Sequence, residues 1–155
     1  EKSGIYLDLE YAFNQCCQGI YENRSEKVRV ELCKAQIIIY AILGLYERAV
    51  DLSLDTQNFD LAKKYANKSF IDQKLKKNLW IKIARKILSS NENVRGKKED
   101  NNEENVRKVL ELLNETKDIL RIDDLLPYFP DNTKVETLKE KLCDSFRSYN
   151  ERIVN

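Results

Sequence analysis

Apolar residues recur along this chain at steps of three and four. From Tyr6 to Ile20, the positions Leu9, Ala12, Phe13, Cys16, Cys17 and Ile20 fall on one face of a helix; this is a 3.6-residue period, not the alternation of strands. The polar stretch Tyr21 to Lys27 reads as a loop. A second helix follows over Val28–Leu43, and its middle (Ala35, Ile37, Ile38, Ile39, Tyr40) is apolar nearly all round. Such a helix is expected to be buried between neighbours. Gly44 supplies its stop, because glycine tolerates positive φ. A short third helix, Tyr46–Leu54, turns Ala49, Val50, Ser53 and Leu54 inward.

Asn58 and Asp72 are placed to cap helices over Phe59–Lys68 and Gln73–Ser90. The fifth helix has the clearest pattern. Leu75, Leu79, Ile83 and Ile87 form one row, Trp80, Ala84 and Leu88 the next, and Lys74, Lys77, Lys82, Arg85 and Lys86 occupy much of the remainder. Residues 91–103 are charged and Asn-rich, with Gly96 inside, and predict a flexible low-complexity loop. A sixth helix covers Glu104–Thr116. A short helical turn covers Asp123–Phe129, limited by Pro127 and Pro130. Thr133 with Glu136 suggests a capping box for a last helix, Lys134–Ile153, whose stripe is Val135, Leu138, Leu142, Cys143, Phe146, Tyr149 and Ile153. The fold class predicted is all-α: about seven or eight helices in antiparallel pairs over 1–155, stacked as a bundle or, the reading preferred, as an α-solenoid.

Composition narrows the picture further. Four Gly and two Pro in 155 residues are too few for the turns of a β-sandwich or barrel. No apolar run approaches the ~18 residues of a membrane span. The first residue is Glu, with no leader after it, as expected of a fragment of something larger. Cys16, Cys17, Cys33 and Cys143 show no C-x-x-C spacing and there is no His, so free buried thiols are expected and no metal site is. Lacking His, a nucleophile elbow and a phosphate loop, the chain is expected to have no catalytic residues and no cofactor. Asp123 and Asp124 diverge on a helix and read as favourable charges at its N-terminus.

Charge is unevenly spread. Residues 63–98 hold twelve Lys or Arg against Asp72 and Glu92, a balance of +10, whereas 1–62 balance to −4 and 99–155 to −5. Lys74, Lys77, Lys82, Arg85 and Lys86 thus form a candidate basic face for an acidic partner. An anionic membrane or nucleic acid is the alternative, but no aromatic interleaving supports base stacking, and nucleic acid is not expected.

The runs Leu45-Tyr46-Glu47-Arg48-Ala49-Val50-Asp51-Leu52-Ser53-Leu54, Asp60-Leu61-Ala62-Lys63 and Leu75-Lys76-Lys77-Asn78-Leu79-Trp80-Ile81-Lys82-Ile83-Ala84-Arg85 resemble the vacuolar protein sorting subunit eighteen family (Pep-three, or deep orange). Ile122-Asp123-Asp124-Leu125-Leu126-Pro127-Tyr128-Phe129-Pro130-Asp131 does too, as do Asp8 to Phe13, Leu138 to Ser145 and Ser148 to Asn150. The matches follow the family's order and cover most of the chain. The resemblance implies the last part of a right-handed solenoid of the clathrin-heavy-chain type, lying between a β-propeller and a coiled coil with a RING. It implies a core subunit of the class C tethering complexes HOPS and CORVET, with the other subunits as partners and SNAREs and Rab GTPases reached through the complex. It also implies a peripheral location on the cytoplasmic face of late endosome and vacuole or lysosome. The RING cysteines and histidines are absent from this stretch, so the family's zinc binding does not carry over. Another clathrin-repeat coat or tether subunit would share the same helical physics.

Overall fold

The computed structural model describes residues 4–68, 71–90, 98–116, 119–131 and 133–154, and all of their regular structure is helical. The chain divides into two compact units, Glu1–Ile71 and Asp72–Asn155.

The first unit holds α1 (Gly4–Glu22), α2 (Glu26–Ile42), α3 (Tyr46–Asp55) and α4 (Phe59–Ala66). Connections of only three residues force each helix back along its predecessor. Three contacts fix the sense of the first pair. Gly19 lies against Leu32, Gln36 Nε2 donates to Cys17 Sγ at 2.9 Å, and the Phe13 and Tyr40 rings are 5.1 Å apart. Residue numbers rise on one helix as they fall on the other, so α1 and α2 are antiparallel. At Gly19 an added Cβ would sit 2.8 Å from Leu32 Cδ1, so the missing side chain is what lets the helices approach.

Both later turns close in the same way. After α2, Gly44 has φ +76°, with Leu45 N–H donating to Tyr40 O and Gly44 N–H to Ala41 O. After α3, Gln57 takes φ +56°, with Asn58 N–H donating to Ser53 O and Gln57 N–H to Leu54 O. These are Schellman closures, which satisfy carbonyls that a helix end leaves orphaned. The glycine was legible in sequence; the strained Gln57 was not. Asn58 then caps α4 through its side chain, accepting from Leu61 N–H at 3.3 Å.

The core of this unit is Ile37, Ile39, Ala49, Val50, Leu54, Ala62, Tyr65 and Ala66. Each large aliphatic among them contributes ~1.5–3 kcal/mol by leaving water. Ser53 is buried among them because its Oγ donates to Ala49 O at 2.6 Å. One expectation fails here. Helix α2 is not enclosed, since Ile38 and Ile42 are 49% and 57% exposed. Neighbours α1 and α3 cover the Ile37 and Ile39 side, and no third helix covers the opposite one among the described residues.

The second unit holds α5 (Gln73–Ser89), α6 (Lys98–Glu115), α7 (Ile122–Leu125), a 3₁₀ turn (Leu126–Tyr128) and α8 (Val135–Val154). Asp72 caps α5, accepting from Lys74 N–H at 3.2 Å. Its two apolar rows are buried from Leu79 to Leu88 and pack with Val106, Val109, Leu112 and Leu113 of α6. Trp80 is only 4% exposed, as its place in the row predicts.

Three sequence expectations shift in this unit. Helix α6 starts at Lys98, so 98–103 are helical and not loop. The remainder of the expected loop, 91–97, lies outside the described residues. Thr133 forms no capping box: its hydroxyl donates to Pro130 O at 2.7 Å and closes the turn before α8. The α8 stripe also thins along its length. Leu138 is buried and Leu142 half-buried, but Cys143 and Phe146 are exposed, Phe146 by 64%. The side chains of Val135, Tyr149 and Ile153 lie outside the described residues.

Candidate protein-interaction face

The basic residues of α5 come from its sequence register. The helix carries six cations (Lys74, Lys76, Lys77, Lys82, Arg85 and Lys86) and no Asp or Glu. Rows four residues apart share a side of a helix. Two such rows are apolar and buried, and the cations flank them. The structure then separates the predicted face into two rows with different roles.

The row Lys77–Ile81–Arg85 is turned toward α7 and the 3₁₀ turn. Lys77 Nζ pairs with Asp124 Oδ1 at 2.7 Å. Asp124 uses its other oxygen, Oδ2, to accept from Arg121 N–H at 3.1 Å, capping α7. The Arg85 guanidinium lies over the Tyr128 ring, 4.7 Å from its centroid. A cation over an aromatic face is attracted by the ring quadrupole, about 0.5–1 kcal/mol at exposed sites. Lys77 and Arg85 therefore serve the fold as well as the surface.

The second row holds Lys74, Lys82 and Lys86. Lys74 is exposed, and Lys82 and Lys86 are half-buried with contacts of their own. Sequence reasoning missed the Asp124 and Tyr128 partners. The acidic pair in a first helical turn was readable as a cap, but no local pattern links it to a lysine 47 residues earlier.

The 3₁₀ turn itself is open to solvent. Leu126 is 41% and Tyr128 39% exposed, and Pro127 between them is exposed too. Beneath them Ile122 and Leu125 are buried, so the segment is anchored from below and bare above.

Elsewhere, the first unit has an open groove of about 440 Å³ lined by Gln36, Tyr40, Glu47, Arg48, Asp51, Leu52 and Asp55. Glu47, Asp51 and Asp55 lie along one side of α3, and each has interactions within the protein. The thiols do not behave alike. Cys16 is buried, Cys33 half-buried, and Cys17 and Cys143 exposed, so burial of all four is not observed. Adjacent residues point about 100° apart on a helix, so Cys16 reaching the core turns Cys17 away. Burial, helped by neighbouring Cys17, pushes the Cys16 thiol above its ordinary value, and burial does the same to Cys33. Among the described residues no group of three or more His, Cys, Asp or Glu is gathered to hold a metal ion. No described helix is long and apolar enough to cross a membrane.

Comparison with known proteins completes the picture. Residues 1–88 match the family model described as VPS18, alpha-solenoid domain, second half; the match takes in all of the first unit and nearly all of α5. The chain is 35% identical over 151 residues to the vacuolar protein sorting-associated protein 18 homolog of Danio rerio, covering 97% of this chain. It is 31% identical over 149 residues to vacuolar sorting protein 18 of Arabidopsis thaliana, covering 96%. It is 26% identical over 120 residues to the vacuolar membrane protein pep3 of Schizosaccharomyces pombe, covering 77%. The chain spans about 13% of the length of the first two relatives and 12% of the third. The apolar periodicity, the all-helical fold and these matches agree: the chain belongs to the VPS18 family, and corresponds there to α-solenoid.

Proposed function

We propose that this chain is a non-catalytic scaffold segment of a core subunit of the HOPS and CORVET class C membrane-tethering complexes. It acts by protein–protein interaction in vesicle docking and fusion at the endosome and the vacuole or lysosome. The observation that carries this reading is membership of the VPS18 family, over a stretch whose described regular structure is helical throughout. Packed helices transmit position without chemistry: each buries its stripe on its neighbours, and the outer faces remain for partners. The partners are the other tethering subunits, with SNAREs and Rab GTPases engaged through the assembled complex. The location that follows is peripheral, on the cytoplasmic face of late endosomal and vacuolar membranes.

The basic face belongs to the same reading. Lys74, Lys82 and Lys86 steer an acidic partner subunit toward α5, while Lys77 and Arg85 divide their charge between the partner and the α7 contacts. Exposed ion pairs contribute ~0.2–1 kcal/mol each, so the row acts on encounter more than on final affinity. The test is deletion of this segment from the full-length subunit in cells, followed by affinity purification through another subunit. The reading predicts loss of one or more tethering subunits from the complex and a defect in vacuole fusion. A complete complex and normal vacuoles in the deletion strain would refute it.

A further inference from the structure

The Leu126–Tyr128 turn combines three properties. It is apolar and aromatic; it is exposed, with Leu126 41% and Tyr128 39% accessible; and it is held in place from several directions. Pro127 fixes one φ of the turn. Asp124 ties its base twice, to Lys77 Nζ and to Arg121 N–H. Arg85 stacks on the Tyr128 ring, and Leu125 is fully buried below. Two apolar side chains that would gain by leaving water are thus kept from folding back onto the protein.

We infer that Leu126, Tyr128 and Arg85 form a pre-organised docking knuckle for a partner protein that presents an apolar pocket rimmed by carboxylates. The inference rests on the scaffold reading above and places one contact of it. Tyr and Arg are enriched among residues that dominate binding energy, because they supply large rigid area and directional hydrogen bonds. Fixing them before association lowers the ordering cost of binding. Charge complementarity selects the rim. Beside the turn lies α5, with six cations and no carboxylate. On the turn's own segment Asp124 is matched by Lys77, and Asp123 has contacts within the protein. Asp131 is the exposed acid nearby. A basic partner or a second copy of α5 would meet a field of its own sign, and a lipid surface would offer no pocket for the Leu–Pro–Tyr projection.

The experiment is site-specific photocrosslinking in cells. Leu126 is replaced with p-benzoylphenylalanine in the full-length protein, with Glu140, exposed on α8, as the control position. Adducts are mapped to the peptide by mass spectrometry. The expected result is a dominant adduct on another protein, in a peptide with apolar residues and net negative charge. Arg85→Glu should lower its yield by about fivefold or more, while the thermal melt of the chain shows the fold intact. Several results would overturn the inference: a Leu126 yield no higher than at Glu140, a basic peptide, a lipid, an adduct to the same chain or a second copy, or a yield indifferent to Arg85→Glu. If the knuckle fails while deletion of the whole segment still dissociates the complex, the scaffold reading stands and the contact lies elsewhere.

Discussion

Replacing Trp80 with Ala tests the core of the second unit most severely. Trp80 is 4% exposed and shares its row with the buried Ala84 and Leu88. Removing a core aromatic costs ~3–5 kcal/mol. One feature moves the figure toward the low end. The indole Nε1 is buried and has no acceptor among the described residues; an orphaned donor costs ~1–3 kcal/mol, and that cost disappears with the ring. The expected loss is therefore about 3 kcal/mol. Trp80→Phe keeps most of the apolar volume and also removes the donor, so it should cost less than about 1.5 kcal/mol. Since Trp80 is the only tryptophan, unfolding is followed by far-UV circular dichroism in urea. With a slope of ~1–3 kcal/mol per molar urea, a 3 kcal/mol loss moves the midpoint by roughly 1–3 M. A loss below about 1 kcal/mol for the Ala variant, or equal losses for Ala and Phe, would refute the packing argument.

Three other outcomes follow from local geometry. Gln57 sits at φ +56°, where a side chain costs ~1–2 kcal/mol that glycine avoids; Gln57→Gly should raise stability by about 0.5–1 kcal/mol, readable as an upward shift in the thermal midpoint. A double-mutant cycle on Lys77→Ala and Asp124→Asn should show a coupling of ~0.2–1 kcal/mol, as for a partly exposed pair; additive losses would mean the pair contributes nothing. The side-chain hydrogen bond and charge of Lys134 hold the Glu103 carboxyl below its ordinary value. A depressed folded pKa stabilises above the unfolded value and is lost as pH falls through the folded one, so Lys134→Ala should raise the Glu103 pKa in an NMR titration and flatten the acid limb of the stability profile.

Much of the fold is legible in the sequence because helix periodicity and caps are local. The buried rows of α3, α5 and α6, the positive φ of Gly44 and the caps at Asn58 and Asp72 all follow from residue type and spacing. What was not legible is relational. Ile38 and Ile42 look like core residues until the positions of α1 and α3 leave their side of α2 open. Thr133 has the spacing of a capping box, yet the Pro130 carbonyl is nearer to its hydroxyl. The basic face was readable as a set of cations, but its division was not: only the docking of α7 beside α5 decides that Lys77 and Arg85 meet Asp124 and Tyr128. Gln57 gives no signal at all, since its conformation is imposed by the α3–α4 turn.

Under the proposed function, these helices hold partner proteins through their outer faces. Hydrogen–deuterium exchange of the full-length subunit, free and within the assembled tethering complex, tests it most directly. Amides that bind a partner open less often and exchange more slowly. Slower exchange is expected within this segment on assembly, strongest in α5 and across Ile122–Phe129. Identical exchange across residues 1–155 in the two states would contradict it.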